Sequence, residues 1–399
     1  MRRKREELFN LNFRVILSHF MAIIYYVCRF FSIKKNRIVF STHEGAGGYM
    51  CNPKYIAEEL LFQKKDYELI WLTDDISRTF PKQVRVIKNS LVNRAIYLST
   101  AKIWIDNSRK QLEVRKRKGQ VYIQTWHAKI GFKPTGLDRG KSFSRIARII
   151  SEHDSQMIDY LLSNCDMFDR IAPTGLLYNG KIERTGSPRL DHLAKKEDID
   201  VKGKKKAIGI NEEEGVVIWL PTFRGGSQSS KRVISRGNVG ALDIDRILEA
   251  FEQIDHRKWN MIIKLHPQLS LQGLRSEIEN DRVIDVSKED DLYEILMACD
   301  AVITDYSSVA FDAAVVGIPV FLFCYDHEEY EKERGNLIWN LDELPFPYAY
   351  NNDSLVNSII EFSEDDYQDE VRKLLKRINM VEDGMASKRV VSLIDRICN

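Results

Sequence analysis

Cysteine and proline are scarce in this sequence, six and ten among 399 residues. The cysteines (Cys28, Cys51, Cys165, Cys299, Cys324 and Cys398) form no CxxC pair and show no metal-ligand spacing, which argues against a zinc module or a disulfide scaffold. Most lie in apolar runs, so buried thiols in a reducing compartment are expected. Internal repeats and low-complexity tracts are lacking, which sets aside solenoids and long disordered stretches. Long apolar runs are lacking too. The best, Val15 to Phe31, is near the lower length limit for a membrane span and is interrupted by His19 and Arg29. No small-residue cleavage site follows it, so a secretory signal is disfavoured.

What is present is an ordinary globular composition, 44% apolar and 30% charged, over a length that suits two domains. The net charge of +2 hides an asymmetry. Residues 1–205 hold 39 Lys and Arg against 22 Asp and Glu, a balance of +17; the remainder holds 21 against 36, a balance of −15. A basic half suggests an anionic partner: membrane lipid, a lipid pyrophosphate or nucleic acid. Arg2, Arg3, Lys4 and Arg5 precede the apolar stretch, which suits a helix lying in the membrane interface better than a span or a helix packed on the protein's own core. Two more basic clusters follow, Arg109, Lys110, Arg115, Lys116, Arg117 and Lys118, then Arg139, Lys141, Arg145 and Arg148. No nucleic-acid motif accompanies them, so an anionic membrane or a lipid-pyrophosphate acceptor fits better than nucleic acid.

Short apolar strands alternate with helical patterns along the chain. They include RIVF (37–40), LIWL (69–72), KIWI (102–105), VYIQ (121–124) and YLLS (160–163), then VVIWL (216–220), NMIIK (260–264), AVIT (301–304) and PVFLF (319–323). This rhythm predicts an α/β fold of two Rossmann-like doubly wound domains facing a cleft. Such sheets bind ligands beyond the carboxyl ends of their strands. The predicted division is a membrane-associating helix over residues 1–34, a first domain over 35–195, a charge-dense linker over 196–214, a second domain over 215–370 and a closing helical region over 371–399.

Several strand ends carry groups that handle anions or protons. In AVITDYSSVAFDAAVVGIPV (301–320), a strand runs through a loop into a helix. Ser307 and Ser308 stand where free backbone N–H groups favour an anion, and the doubled serine favours phosphate over a simple N-cap. In IIKLHP (262–267), Lys264 and His266 share one face of extended chain and together could neutralise a diphosphate. In WLPTFR (219–224), Thr222 offers a hydroxyl and Arg224 a phosphate fork. In the first half, QTWHAKIGFKPTG (124–136) puts His127 directly after a strand, a position suited to a general base. A core histidine beside Trp126 is the plainer alternative there.

At these residues the sequence resembles the CDP-glycerol:poly(glycerophosphate) glycerophosphotransferase family, the polymerases and primases of wall teichoic acid. The resemblance is carried by QTWHA (124–128), TGSPRLDHL (185–193), PTFR (221–224), KLHP (264–267) and DLYEILMACDAVITDYSSVAFDAAVVGIPVFLFCYD (291–326), and it spans most of residues 37–360. It departs at Ala128, where some members have glycine, and at Ser187, where many have an aromatic. What it implies is a GT-B fold, with the acceptor in the first half and the CDP donor in the second. His127 resembles the family's proposed base, and His266 with Lys264 the group stabilising the donor diphosphate. Thr222, Arg224, Ser307 and Ser308 then correspond to donor-phosphate ligands, and Asp305 and Asp312 to organisers of that loop or of the ribose. Trp126, Lys129, Arg189 and Asp191 fall on the acceptor or cleft side.

The activity so implied is transfer of glycerol phosphate from CDP-glycerol to a hydroxyl of a lipid-linked or polymeric glycan acceptor, releasing CMP, by a peripheral enzyme at the cytoplasmic face of a bacterial membrane. CDP-ribitol as donor, a sugar-nucleotide glycosyltransferase on the same fold and a non-catalytic assembly protein stay open as alternatives. No cofactor follows from the residues, and neither the need for a divalent metal nor the oligomeric state is legible.

Overall fold

The computed structural model describes residues 2–195, 199–222, 241–265 and 280–398. The chain divides into two compact units. Unit 1 comprises Met1–His127, Thr135–Asp191 and Val381–Asn399; unit 2 comprises Ala128–Pro134 and His192–Met380.

Unit 1 is built on seven strands: β1 (Lys34–Ser41), β2 (Glu68–Thr73), β3 (Arg85–Lys88), β4 (Ala101–Asp106), β5 (Val121–Gln124), β6 (Tyr160–Ser163) and β7 (Lys181–Arg184). Their order in the sheet is β3-β2-β1-β4-β5-β6-β7, and every pairing is parallel. A parallel sheet is covered on both faces, so its central strands are apolar without alternation. Ile38, Val39 and Phe40 in β1 and Ile103, Trp104 and Ile105 in β4 are all buried. The edge strand β3, RVIK, is largely exposed and lacks that run, which is why the sequence pattern passes over it.

Unit 2 repeats the plan with β8 (Gly215–Leu220), β9 (Trp259–Ile263), β10 (Val283–Asp285), β11 (Ala301–Thr304), β12 (Val320–Phe323) and β13 (Tyr348–Ala349). Among the described residues the order is β10-β9-β8-β11-β12-β13, again parallel throughout. The helix Ile244–Asp255 lays Ile247, Leu248 and Phe251 on this sheet, and Phe251 stacks on Trp259 with ring centroids 4.3 Å apart.

The expected linker is not structureless. Val201–Ala207 is a helix capped by Asp200, and it buries Lys205, whose ammonium reaches Asp300 (2.9 Å) and the carbonyl of Glu214 (2.8 Å). The closing region also divides: the helix Glu364–Arg377 belongs to unit 2, whereas Ala386–Cys398 returns to unit 1. There Val390, Val391, Leu393 and Ile394 form one buried stripe in a cluster with Ile56, Ala57 and Leu60 of helix α2 (Cys51–Phe62). Burying each such aliphatic side chain contributes roughly 1.5–3 kcal/mol.

Helix α1 spans Arg2–Val27. Ser18, Ala22, Tyr25 and Cys28 are buried along one stripe, and α1 packs against α3 (Leu91–Thr100). Phe13, Ile16, Phe20, Ile23, Val27 and Phe30 are exposed. Leu11–Phe30 is long and apolar enough to cross a membrane by length and composition, with a mean hydropathy of 1.5. Just beyond α1, the Arg117 guanidinium donates to the carbonyls of Phe31 (2.7 Å), Arg29 (3.1 Å) and Ser99 (3.0 Å), which ties the end of the helix to the sheet.

Candidate functional site

In unit 1 the chain steps outward from β1 through β2 to β3, and in the other direction from β4 through β5 to β7. The loops after β1 and β4 therefore part, leaving the crevice in which open α/β sheets bind ligands. Register sets Ser41 beside Asp106 and Asp106 beside Gln124. The segments that follow, His43–Gly45, Asn107–Ser108 and Thr125–His127, gather at one end of the sheet.

His127 is half-buried there. Its Nδ1 lies 2.8 Å from the main-chain oxygen of Asn107. A carbonyl only accepts, so Nδ1 carries the proton and the neutral ring keeps its lone pair on Nε2. Burial, then the neighbouring His43, push its pKa down to about 3; the positive charges of Arg189 and Arg109 act in the same direction, against the Asn107 carbonyl. At neutral pH this imidazole is an uncharged base.

The backbone around it is strained. Of eight non-glycine residues with positive φ among the described residues, His43, Glu44, Cys51 and Trp126 sit in or beside these loops. Such conformations cost on the order of 1–3 kcal/mol each and persist only where the surroundings enforce them. Trp126 (φ 51°) is held by its N–H donating to Gln124 Oε1 (2.9 Å) and its carbonyl accepting from Asn52 Nδ2 (2.8 Å). His43 and Glu44 (φ 47° and 63°) donate their N–H groups to Asn107 Oδ1 and Ser108 Oγ, each at 2.8 Å. Gly45 follows at φ 99°, and a Cβ there would collide with Asn89.

Beneath the loops lies a buried polar layer. Asp106 accepts from the Ser108 N–H and hydroxyl (both 2.9 Å) and pairs with Lys110 Nζ (2.5 Å). Asp154 accepts from Lys110 N (2.8 Å) and Tyr122 Oη (3.3 Å), and burial pushes its pKa up to about 7. Much of the first basic cluster is spent inside the fold. Arg109 lies 4.8 Å over the Trp126 ring and donates to the Gly175 carbonyl (3.1 Å), and Lys116 pairs with Asp159. Sequence alone suggests a free cationic surface there; carbonyls and carboxylates of the fold itself are the partners found.

Arg189 is buried, its N–H donating to Asn52 Oδ1 (3.2 Å) and its Nη1 lying 3.6 Å from Cys51 Sγ. Asp191 accepts from the N–H groups of Ala386 (2.9 Å) and Ser387 (2.6 Å), so it caps the returning C-terminal helix rather than serving as an open ligand group. Lys129 is also buried and falls in the Ala128–Pro134 segment of unit 2.

Unit 2 has its own reversal of strand order, between β8 and β11. Asp305, fully buried after β11, accepts from Thr222 N at both oxygens (2.9 and 3.1 Å), from the Thr222 hydroxyl and from Tyr306 N (2.7 Å). It ties together the two loops flanking the crevice. Asp312 accepts from Tyr293 Oη (2.6 Å), so its carboxylate braces the neighbouring helix Leu292–Leu296. Ser307 and Ser308 are half-buried; Ser307 Oγ accepts weakly from Val309 N (3.4 Å), and the Ser308 side chain makes no capping bond to Val309–Val315. The Lys264 ammonium is turned onto the carbonyl of Glu289, and burial lowers its pKa against the pull of Asp290, Asp291, Glu289 and Asp285. Arg224 and His266 lie outside the described residues.

The segment Ala128–Pro134, which follows His127 directly, packs within unit 2. Phe132 contacts the rings of Tyr306 (6.5 Å) and Phe311 (5.1 Å), and its carbonyl accepts from Ile338 N (2.8 Å). Sequence reasoning passes over His43 and Asn107 in unit 1 and, in unit 2, His327, whose Nδ1 is 3.3 Å from Tyr306 Oη. A histidine after a first Rossmann-like strand is the signal that could have found His43. Among the described residues no group of three His, Cys, Asp or Glu side chains gathers as a metal site would require.

The chain is similar along nearly its whole length to known proteins. It is 25% identical over 393 residues to a teichoic acid poly(glycerol phosphate) polymerase of Bacillus spizizenii, covering 96% of this chain and 97% of that protein. It is 27% identical over 372 residues to a teichoic acid glycerol-phosphate transferase of Staphylococcus aureus, covering 90% and 93%. A solved structure of the wall teichoic acid polymerase TagF, a histidine-to-asparagine variant soaked with CDPG, shares the fold with a TM-score of 0.80 at 23% identity, over 100% of this chain and 98% of that one. The family described as CDP-Glycerol:Poly(glycerophosphate) glycerophosphotransferase matches residues 23–396, so this chain, with its two parallel-sheet units, belongs to that family of transferases.

Proposed function

We propose that the chain transfers glycerol phosphate from CDP-glycerol to a hydroxyl of a membrane-linked teichoic acid or related polymer acceptor, and that His127 is the base. The observation that carries this reading is the fixed tautomer of His127. Nδ1 is committed to the Asn107 carbonyl, so Nε2 is the atom that takes the acceptor proton. As the hydroxyl loses its proton to Nε2, its oxygen attacks the phosphorus that bears glycerol. The bond from that phosphorus to the CMP oxygen breaks, CMP leaves with the electron pair, and a phosphodiester remains. An anionic acceptor brought to the crevice favours the imidazolium and moves His127 towards neutral pH, where a base works best.

Unit 2 takes the donor in this proposal and unit 1 the acceptor, the division of labour of a GT-B enzyme. Ser307, Ser308 and the loop braced by Asp305 and Thr222 receive the diphosphate, with Arg224, Lys264 and His266 as the cations. The exposed apolar face of α1, with Arg14 and Arg29 beside it and four basic residues ahead of it, supports a peripheral seat on the anionic cytoplasmic leaflet. The test is product analysis with CDP-glycerol and CDP-ribitol against lipid-linked acceptors. CMP release with glycerol phosphate added to the acceptor is expected, and His127→Ala should abolish turnover while donor binding survives. Full activity in that variant removes His127 from the mechanism; release of a nucleoside diphosphate instead of CMP replaces the reaction class.

A further inference from the structure

His127 is oriented by one hydrogen bond to a main-chain carbonyl. Among the described residues no carboxylate bonds to its ring, so the rings beside it fix its angle about that bond. Trp126 supplies one, tilted by 32° with centroids 4.9 Å apart. His43 supplies the other, edge-on at 65° and 5.2 Å. The His43 ring is delivered by two successive left-handed residues, and the main-chain N–H groups that hold this turn end on Asn107 Oδ1 and Ser108 Oγ. Asn107 thus serves both imidazoles, His127 through its carbonyl and the His43 turn through its side chain. Because Asn107 Oδ1 accepts from His43 N, its Nδ2 is the donor facing His43 Nε2 (3.5 Å), which leaves the His43 lone pair on that nitrogen.

We infer that His43 is a positioning residue for the reaction, its ring locked over Asn107 so as to fix the angle of His127 and shield it from water and protons. The inference rests on the proposed role of His127 as base. Among the described residues, Arg109 after β4 and Arg189 from the turn after β7 act on His127 itself, and Asp106 at the end of β4, Lys110 and Arg109 act on Glu44 of the His43 turn. Removing the His43 ring opens His127 to water and takes away a neighbour that opposes its protonation. Both changes make His127 easier to protonate.

The variant to use is His43→Asn, because asparagine tolerates the left-handed backbone and so keeps the turn while deleting the ring. The histidine proton resonances of the whole chain are titrated, with His127 assigned by its loss in His127→Gln. In His43→Asn the proton affinity of His127 should rise about tenfold or more, a pKa increase of about one unit. In turnover, the acid limb of kcat/KM should move to higher pH and kcat at pH 8 should fall about 10–100-fold, with the donor KM unchanged. Asn107→Ala should move the same limb, and the double variant should add little to either. An unchanged His127 titration in His43→Asn overturns the inference. The resonance titration needs no substrate, so it decides the role of His43 even if the parent chain fails to release CMP from CDP-glycerol.

Discussion

Consider His127→Gln at two pH values. In the folded chain the His127 pKa is pushed down to about 3, from an ordinary 6.5. Between those values the unfolded chain binds a proton at this position and the folded chain does not, so stability rises with pH across the window. The contribution is fully present above the unfolded value and is lost as pH falls towards the folded one. Each pH unit inside the window costs about 1.4 kcal/mol, so going from pH 7 to pH 5 removes about 2 kcal/mol. The assay is urea unfolding of parent and variant at both pH values, followed by tryptophan fluorescence. Other titrating groups act on both proteins and cancel in the difference. The parent should lose about 2 kcal/mol more than the variant over this interval. Equal losses would refute the reasoning, for they would mean that His127 is hydrated and titrates normally.

Other expectations follow from single contacts. Asp305→Asn replaces a carboxylate that accepts from Thr222 and Tyr306; it should cost about 2–4 kcal/mol in unit 2 and weaken CDP-glycerol binding, read by denaturation and calorimetry. Asp191→Ala uncaps the helix Ala386–Cys398 and should destabilise unit 1 by about 1–2 kcal/mol in urea unfolding. Ile23→Asp, on the exposed face of α1, should leave stability nearly unchanged and lower co-sedimentation with anionic vesicles at least tenfold, on the basis of about 1.5–3 kcal/mol for burying such a side chain.

The sequence shows most of the sheets because a covered parallel strand is apolar at every position, as VVIWL and AVIT are. It misses β3 and β13, one an exposed edge and the other two residues long. His127 and Ser307-Ser308 are legible because each follows a strand directly. The partnership of His43 with Asn107 is not: it depends on β1 lying next to β4, and β2, β3 and two helices intervene in the chain. Asp191 reads as a candidate ligand for the same reason, since the N–H groups it caps lie about 195 positions away. Arg109 and Lys116 look like surface charge in a linear reading because nothing local reveals the carbonyls and carboxylates that consume them.

A ribosome making this chain delivers residues 1–191 well before residues 386–398. Until then the buried flank of α2 has no Val390, Val391 or Ile394 against it, and Asp191 has no helix to cap. Unit 2, apart from its short Ala128–Pro134 segment, is contiguous and already synthesised by that stage. The order of completion is thus reversed: the half made first is finished last, and it waits through most of translation with an apolar groove that chaperones or premature association can reach.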